Sequence, residues 1–246
     1  GPEGFVRRGM GWPGNLPSWE DALFLEAAAG TGAGKSMGGA LRLLSYFESW
    51  PGARFMITAP TLDMFRTTTL IAIKDVFAAA GLVEGVLWEY YENHKELHYH
   101  NGCVAFCRAT EEPELLVGTT CAGAWMDEAG RSPYKAFTNI VGRLRQQGYP
   151  HQFWATTTPV GRHHWTYWVW NHSAALEGGY VEEGQLADVP ESGKYVLYQG
   201  KTAENPYGGS ATDRRLRRLY GDNSLLARQE LEGQFVLLEG LVYPKY

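Results

Sequence analysis

The chain has 246 residues, of which 44% are hydrophobic and 20% are charged, with a formal net charge of −5. This composition is that of a globular protein. The negative charge excludes a surface that is basic throughout, so any DNA contact requires a local basic patch. The length suits one large α/β domain or two small ones.

The cysteine count, the first residues and the apolar runs bear on disulfides, on the natural start of the protein and on membrane spans. Cys103, Cys107 and Cys121 are odd in number and contain no Cys-x-x-Cys pair, so a disulfide framework is not expected. A reducing, cytosolic environment fits this pattern. The opening Gly1-Pro2-Glu3 is neither a signal peptide nor a natural initiator, and we expect the natural protein to begin elsewhere. No apolar run reaches the ~20 residues that a bilayer-spanning helix needs.

In chain order, an irregular segment over residues 1–20 precedes an alternation of short apolar runs and helical stretches. Helices are predicted over Met37 to Ser49 and Thr67 to Ala80. The short apolar runs predict buried strands over Ala22 to Ala28, Arg54 to Ala59, Gly123 to Met126 and Gln152 to Thr156. A later run, Lys194 to Gln199, is a weaker fifth candidate for a strand. The alternation predicts an α/β fold, a mostly parallel sheet with helices on both faces.

A β-hairpin interrupts this alternation between Trp88 and Cys107. Its turn signal is Asn101-Gly102, and a two-residue loop there would pair His100 with Cys103 and Tyr99 with Val104. One face of the hairpin would then carry the side chains Leu97, Tyr99, Val104 and Phe106, and the other would carry His98, His100, Cys103 and Ala105.

Two short helices are predicted near the C-terminus. Ser210-Ala211-Thr212-Asp213 resembles a capping box that opens an arginine-rich helix, and Gly221 would end it. A second helix is expected from about Ser224 to about Gly233.

A glycine-rich loop between the first strand and the first helix is the strongest motif. In a P-loop (Walker A motif), backbone N–H groups and a helix N-terminus bind phosphates, and the lysine reaches the β- and γ-phosphates. The serine hydroxyl binds Mg²⁺. The alternative, a turn that binds nothing, is disfavoured by the flanking strand and helix. The predicted nucleotide-binding residues are Ala29 (where the usual pattern has glycine), Gly30, Thr31, Gly32, Ala33, Gly34, Lys35 and Ser36.

Two adjacent acids end the strand that begins at Gly123. Asp127 is the predicted Mg²⁺ residue, together with Ser36, and Glu128 is the predicted catalytic acid that polarises an attacking water. An ordinary helix start is the alternative, but a P-loop upstream favours the functional interpretation. The next strand ends in Thr156, Thr157 and Thr158, which suit a sensor of the γ-phosphate; threonine is also simply a good strand former.

These motifs together resemble the phage large terminase family. Thr157-Thr158-Pro159-Val160-Gly161 looks like the coupling motif of that family, and Leu115-Leu116-Val117-Gly118 looks like the segment before its acidic pair. Further similar segments are Ala203-Glu204-Asn205-Pro206, Leu231-Glu232-Gly233-Gln234-Phe235 and Gly240-Leu241-Val242-Tyr243-Pro244. The resemblance extends from about Asp21 to the last residue.

The resemblance implies a RecA-like fold and an ATPase motor that uses ATP and Mg²⁺ to translocate double-stranded DNA into a procapsid. The implied partners are DNA, the portal of the procapsid, the small terminase subunit and further copies in a homo-oligomeric ring, in the host cytoplasm and without a membrane. The implied organisation is an irregular segment at 1–20, an ATPase core at 21–200, and a helical subdomain at 201–246 that leads toward a nuclease domain. Because no separate cluster of nuclease carboxylates is evident, nuclease activity is expected only in a longer protein.

Two rival interpretations remain open, and a third is disfavoured. A helicase or other RecA-like DNA motor would carry the same motifs, and a non-catalytic nucleotide-binding module would not need Glu128. A small-molecule kinase would leave the Asp127-Glu128 pair and the threonine-rich strand unexplained.

The arginine that stabilises the transferring phosphate is not at the family's usual places. Thr31 and Val117 occupy the two positions where many terminases carry arginine. Arg143 is the first candidate, acting in trans between subunits, and Arg145 and Arg162 are the others.

Three further groups of residues favour structural interpretations. A zinc site is not expected from His94, His98, His100, Cys103 and Cys107, because their spacing fits no common pattern. The basic run Arg214, Arg215, Arg217 and Arg218 favours a solvated helix face, with contact to DNA phosphates as the alternative. The tryptophans are expected in the core, except Trp12 and Trp19, which precede the first strand where an adenine base would lie.

Overall fold

A computed structural model describes residues 24–170 and 195–237, and the predicted irregular segment at 1–20 lies outside these ranges. Eight strands form one sheet with the spatial order β3-β4-β5-β2-β6-β7-β1-β8. Their bounds are Phe24–Ala29 (β1), Arg54–Ala59 (β2), Trp88–Tyr91 (β3), Glu96–Tyr99 (β4), Val104–Ala109 (β5), Gly123–Asp127 (β6), Gln152–Thr157 (β7) and Tyr195–Gly200 (β8).

Six adjacent strands, from β5 to β8 in the spatial order, pair in parallel, whereas β3 and β4 pair antiparallel at one edge. The mostly parallel α/β sheet predicted from the sequence is confirmed. The five predicted strands are all present, and each predicted end lies within two residues of the observed end. Short apolar runs locate buried strands well because both faces of such strands exclude polar side chains.

The described helices lie on both faces of the sheet. Their bounds are Lys35–Ser49 (α1), Leu62–Met64 (α2), a π-helical turn at Phe65–Thr69, Leu70–Ala79 (α3), Tyr134–Val141 (α4), Trp165–Trp170 (α5), Gly209–Tyr220 (α6) and Leu225–Glu230 (α7). Phe47 of α1 and Phe77 of α3 belong to one buried cluster, and Phe137 of α4 and Trp165 of α5 belong to the other. Among residues 24–170 and 195–237, no helix has the length and hydropathy to span a membrane.

The hairpin register differs from the prediction by one residue. His98 lies opposite Val104, and Leu97 lies opposite Ala105. Gly102 donates its N–H to the Tyr99 carbonyl (2.9 Å) and has a φ of 88°, so the loop has three residues and a left-handed glycine. Such three-residue loops are a standard alternative to the two-residue turn.

Because side chains alternate along a strand, this shift moves the residues of β5 to the opposite face relative to those of β4. The inward face carries residues that are all buried: Leu97, Tyr99, Cys103, Ala105 and Cys107. The predicted face that combined Cys103 with His98 and His100 was therefore wrong. The thiol of Cys103 contacts backbone carbonyls of Phe47 and Trp50 instead.

The predicted capping box at Ser210 was also wrong. Helix α6 begins at Gly209, preceded by Gly208 with a φ of 101°, and the Ser210 hydroxyl donates to the Ala203 carbonyl (3.3 Å). A Cβ at Gly209 would lie 2.0 Å from the Thr202 carbonyl oxygen, so two glycines allow the helix to start earlier and pack closely there. The expected helix end at Gly221 and the expected helix start near Ser224 are confirmed, and the Ser224 hydroxyl accepts the Ala227 N–H. This second helix, α7, ends at Glu230, three residues before the predicted Gly233.

Glu26 is an unusual core residue at the centre of β1. It is fully buried, and neither carboxyl oxygen has a hydrogen-bond partner among the residues that the structure describes. Burial therefore raises the pKa of Glu26 well above its usual range. The carboxyl is protonated in the fold at a pH where the unfolded chain has already lost the proton.

We expect Glu26→Gln to flatten the fall of stability with pH. With a raised folded-state pKa, the Glu26 contribution is present below the unfolded pKa of ~4.3 and is lost as pH rises through the folded value. At pH 8 the variant should gain stability relative to wild type compared with pH 5, because Glu26 must either hold its proton against the solution pH or bury a charge, whereas glutamine does neither. Urea unfolding at pH 5 and pH 8 measures this. The exposed Glu111→Gln is the control; equal pH dependence in wild type and Glu26→Gln would contradict the prediction.

Candidate functional site

The phosphate loop connects the carboxyl end of β1 to the start of α1. Gly32 and Gly34 have φ values of 75° and 91°, a left-handed conformation that suits glycine. The Lys35 ammonium donates to the Gly30 carbonyl across the loop (2.9 Å). Burial lowers the pKa of Lys35, and the carboxylates of Glu128, Asp127 and Glu230 oppose that shift. The Lys35 side chain thus lies across the phosphate loop, close enough to these three carboxylates to be influenced by their charge.

Asp127 ends β6 beside the loop and accepts four hydrogen bonds. Its Oδ1 accepts from the Ser36 hydroxyl (3.2 Å), the Thr156 hydroxyl (2.6 Å) and the Glu128 N–H (3.1 Å). Its Oδ2 accepts from the Thr69 hydroxyl (2.7 Å). Burial raises the pKa of Asp127, and these hydrogen bonds act in the opposite direction. The carboxylate is therefore fixed in one orientation.

The residues at this point fit a magnesium ion. Ser36 Oγ and Asp127 Oδ1 are 3.2 Å apart and are hard oxygen donors, the kind that Mg²⁺ prefers, usually with retained waters. They lie directly after Lys35, where the phosphates of a nucleotide would supply the remaining oxygens.

Glu128, the first residue after β6, has a strained backbone conformation. Its φ of 52° and ψ of 44° are left-handed, a conformation that costs a non-glycine residue ~1–3 kcal/mol and that occurs often at functional sites. The side chain lines the cleft with Lys35 and Ser36. Burial and then the negative charge of Asp127 raise the pKa of Glu128, whereas Lys35 and Arg131 lower it.

The threonines at the end of β7 lie beside the acidic pair, and Thr156 contacts Asp127. Thr156 donates to Asp127 and accepts from the indole N–H of Trp125 (2.8 Å). The Thr157 hydroxyl accepts the Gly130 N–H (2.8 Å), and Thr158 lines the cleft. β7 lies between β1 and β6 in the sheet, so its end is adjacent to both the phosphate loop and Asp127.

An open cleft of about 270 Å³ joins these groups. Its lining residues are Thr31, Gly32, Gly34, Lys35, Ser36, Met37, Thr68, Glu128 and Thr158. This cleft lies at the carboxyl edge of the sheet, where α/β folds bind ligands. The predicted residues that line it are Thr31, Gly32, Gly34, Lys35, Ser36, Glu128 and Thr158, and Asp127 lies beside it through its hydrogen bond with Ser36.

The C-terminal segment holds the phosphate loop from outside, which the sequence did not indicate. The Thr202 hydroxyl donates to the Thr31 carbonyl (2.8 Å), and the Asn205 amide donates to the Gly32 carbonyl (2.7 Å). Thr31 donates its N–H to the Glu230 carbonyl (2.6 Å) and its hydroxyl to the Glu230 carboxylate (3.0 Å). Asn205 belongs to a segment quoted for the family resemblance, but nothing local to it suggested this contact.

The arginine candidates do not lie together at the cleft. Arg143 follows α4 and donates to the Val117 carbonyl (2.9 Å), and its own carbonyl accepts the N–H of Cys121, before the start of β6. It therefore lies at the sheet edge opposite Asp127. Arg145 is exposed, and Arg162 donates to the Phe235 carbonyl (3.2 Å).

The remaining sequence candidates have ordinary surroundings. Arg214, Arg215 and Arg218 are exposed on α6, whereas Arg217 forms ion pairs with Asp213 (2.8 Å) and Glu232 (3.2 Å). The large buried indoles of Trp125 and Trp154 confirm the core interpretation for those residues. Trp12 and Trp19 lie outside the described residues.

Comparisons with known proteins identify the family to which this sequence is similar. The protein-family model for the N-terminal part of the terminase large subunit, T4likevirus type, matches residues 27–245. The PBSX phage terminase large subunit of Bacillus subtilis (strain 168) is 26% identical over 152 residues, which cover 61% of this chain and 34% of that protein.

Two solved structures share the fold. The large terminase of a thermophilic bacteriophage, solved in complex with ADP, has a TM-score of 0.71 at 16% identity, covering 93% of this chain and 52% of that one. The Thermus phage P74-26 large terminase ATPase domain has a TM-score of 0.62 at 19% identity, covering 87% and 89%. The chain thus spans about half the length of the ADP-bound terminase. With a RecA-like fold shared with large terminase ATPase domains and a family match over most of its length, this chain belongs to the terminase large subunit family.

Proposed function

We propose that this chain is the ATP-hydrolysing motor of a viral large terminase, which uses ATP and Mg²⁺ to translocate double-stranded DNA into a procapsid. The convergence of Lys35, the Ser36–Asp127 pair and Glu128 in one cleft carries the proposal. The ADP complex of the thermophilic phage large terminase supports nucleotide binding at this fold.

Each residue has a role that follows from its contacts. Lys35 is placed to exchange the Gly30 carbonyl for phosphate oxygens when ATP enters the loop. When bound, Mg²⁺ neutralises charge on the phosphates. Glu128 orients and polarises the attacking water. Thr156 joins the threonine strand to Asp127, and Thr158 lines the cleft with Glu128, so loss of the γ-phosphate can be relayed into β7.

The partners follow from the proposed activity. They are double-stranded DNA, the portal of the procapsid, the small terminase subunit and further copies of the chain in a ring, within the host cytoplasm. The exposed arginines Arg214, Arg215 and Arg218 offer a local basic surface for DNA phosphates on a chain whose net charge is negative. Nuclease activity is proposed only for a longer protein that contains this chain.

The two rival functions have distinct signatures. A helicase would separate strands without a capsid, and a non-catalytic nucleotide-binding module would retain its function when Glu128 is replaced. The hydrogen-bonded Asp127 and the strained Glu128 favour hydrolysis over simple binding. ATP hydrolysis measured alone, with DNA, and with DNA and empty procapsids tests the proposal; a rate that responds to neither would contradict the motor function.

We expect Lys35→Ala to weaken ATP binding about 10- to 100-fold, because it removes a charged hydrogen-bond donor from the phosphates. Titration of a fluorescent ATP analogue measures the effect. Lys74→Ala is the control, since Lys74 is a surface lysine paired with Glu84. Unchanged affinity in Lys35→Ala would show that the loop does not bind the phosphates.

A further inference from the structure

The π-helical turn at Phe65–Thr69 contacts the site through Thr68 and Thr69, and neither residue has yet been given a role. The N–H of Leu70 donates to the Phe65 carbonyl, the five-residue spacing of a π-helix. π-helical turns are rare and occur frequently at functional sites. This one follows β2 and directs two consecutive threonines toward the phosphate site.

Thr69 contacts the acidic pair directly. It is 1% exposed, and its hydroxyl is the one side-chain donor to Asp127 Oδ2 among the described residues (2.7 Å). The other three donors reach Oδ1. By holding Oδ2, Thr69 fixes the rotation of the Asp127 carboxylate, and Oδ1 of the same carboxylate lies beside Ser36.

Thr68 is adjacent and faces the cleft. It is exposed and lines the cleft together with Lys35, Glu128 and Thr158. Within residues 24–170 and 195–237, its hydroxyl has no hydrogen-bond partner. Thr67, one residue earlier, is different: its hydroxyl is engaged with the Asp63 carbonyl in its own helix (2.7 Å).

We propose that the π-helical turn supplies two further functional hydroxyls, with Thr68 donating to the terminal phosphate of ATP and Thr69 acting as a positioning residue for Asp127. This inference rests on the proposed function and assigns substrate recognition within it. A free hydroxyl beside Lys35 and Glu128 suits a phosphate oxygen, because those two residues bracket the place where the terminal phosphate reacts.

Thr68 is tested by comparing nucleotides with and without a terminal phosphate. Thr68→Val should weaken binding of ATPγS about 10- to 100-fold, the effect of one hydrogen bond to a charged group, and leave ADP affinity unchanged. Thr68→Ser should restore ATPγS binding, because it keeps the hydroxyl. Thr67→Val, which removes a hydroxyl outside the cleft, is the matched control and should bind both nucleotides like wild type.

Thr69 is tested through the magnesium dependence of binding. Thr69→Val should raise the Mg²⁺ concentration for half-maximal ADP binding several-fold, because Asp127 loses its orientation, and it should leave ADP binding in EDTA unchanged. Thr69→Ser should restore the Mg²⁺ response. Thermal unfolding of each variant separates this effect from a loss of fold, which would weaken binding in EDTA as well.

The outcomes separate this inference from the proposed function. A wild-type chain that binds neither nucleotide overturns both. If wild type binds and hydrolyses ATP while Thr68→Val keeps the wild-type ratio of ATPγS to ADP affinity, the assignment of Thr68 is wrong. If Thr69→Val keeps the wild-type Mg²⁺ response, or Thr69→Ser does not restore it, Thr69 does not position Asp127.

Discussion

Glu128→Gln is expected to bind ATP with near wild-type affinity and to lose turnover by about 10²- to 10⁴-fold, the usual contribution of a positioned acid or base. The amide keeps the shape of the side chain but cannot accept a proton from the attacking water. Because Lys35 and the Ser36–Asp127 pair are unchanged, nucleotide binding should persist. Nucleotide titration beside phosphate-release assays distinguishes the two steps.

A carboxylate elsewhere on the surface provides the control for this experiment. Glu112 is exposed and precedes the 3₁₀ turn at Pro113–Val117, and Glu112→Gln should leave turnover unchanged. A Glu128→Gln protein with normal turnover would refute the assignment of the catalytic acid. A protein that loses ATP binding as well would show that Glu128 acts on the loop rather than on the water.

The central part of the site could be predicted because its signals are local. A glycine-rich turn between a strand and a helix specifies the loop at Lys35, and an apolar run that ends in two acids specifies Asp127 and Glu128. Parallel strands then bring their carboxyl ends to the same edge, so the threonines that end β7 also reach the cleft.

The contacts that complete the site could not be predicted, because they join residues far apart in sequence. Thr69 is 58 residues from Asp127, and Thr31 is 199 residues from Glu230. Thr69 faces Asp127 because the π-helical turn changes the direction in which its side chain leaves the helix. No periodicity marks such a turn in the sequence.

The two errors have a common physical origin in glycine. Asn101-Gly102 supports both two- and three-residue loops, and Gly102 adopts the left-handed position of the longer one. The pair Gly208-Gly209 allows α6 to begin before the serine that resembled a cap. In both places the tertiary packing selects among conformations that glycine leaves open.

The arginine that acts on the γ-phosphate is proposed to come from a neighbouring subunit, with Arg143 as the first candidate. Arg143 lies at the opposite end of β6 from Asp127, so it cannot reach the cleft of its own chain. Its guanidinium donates to the Val117 carbonyl, and its Nε is buried without a partner among the described residues. The side chain as a whole is only partly buried, so its outer part is open to a phosphate of an adjoining subunit, and the isolated chain should be a slow ATPase whose specific activity rises with assembly.

We expect Arg143→Ala to lower assembled turnover by about 10³- to 10⁵-fold, the contribution of an arginine finger. Arg145→Ala and Arg162→Ala, at the other two candidate positions, identify which arginine acts if Arg143 does not. Mixing Arg143→Ala with Glu128→Gln should restore part of the activity, because a hybrid interface joins the intact Glu128 of one subunit to the intact Arg143 of its neighbour. A folding defect cannot be rescued in this way. If assembled Arg143→Ala hydrolyses ATP at the normal rate, Arg143 is not the finger.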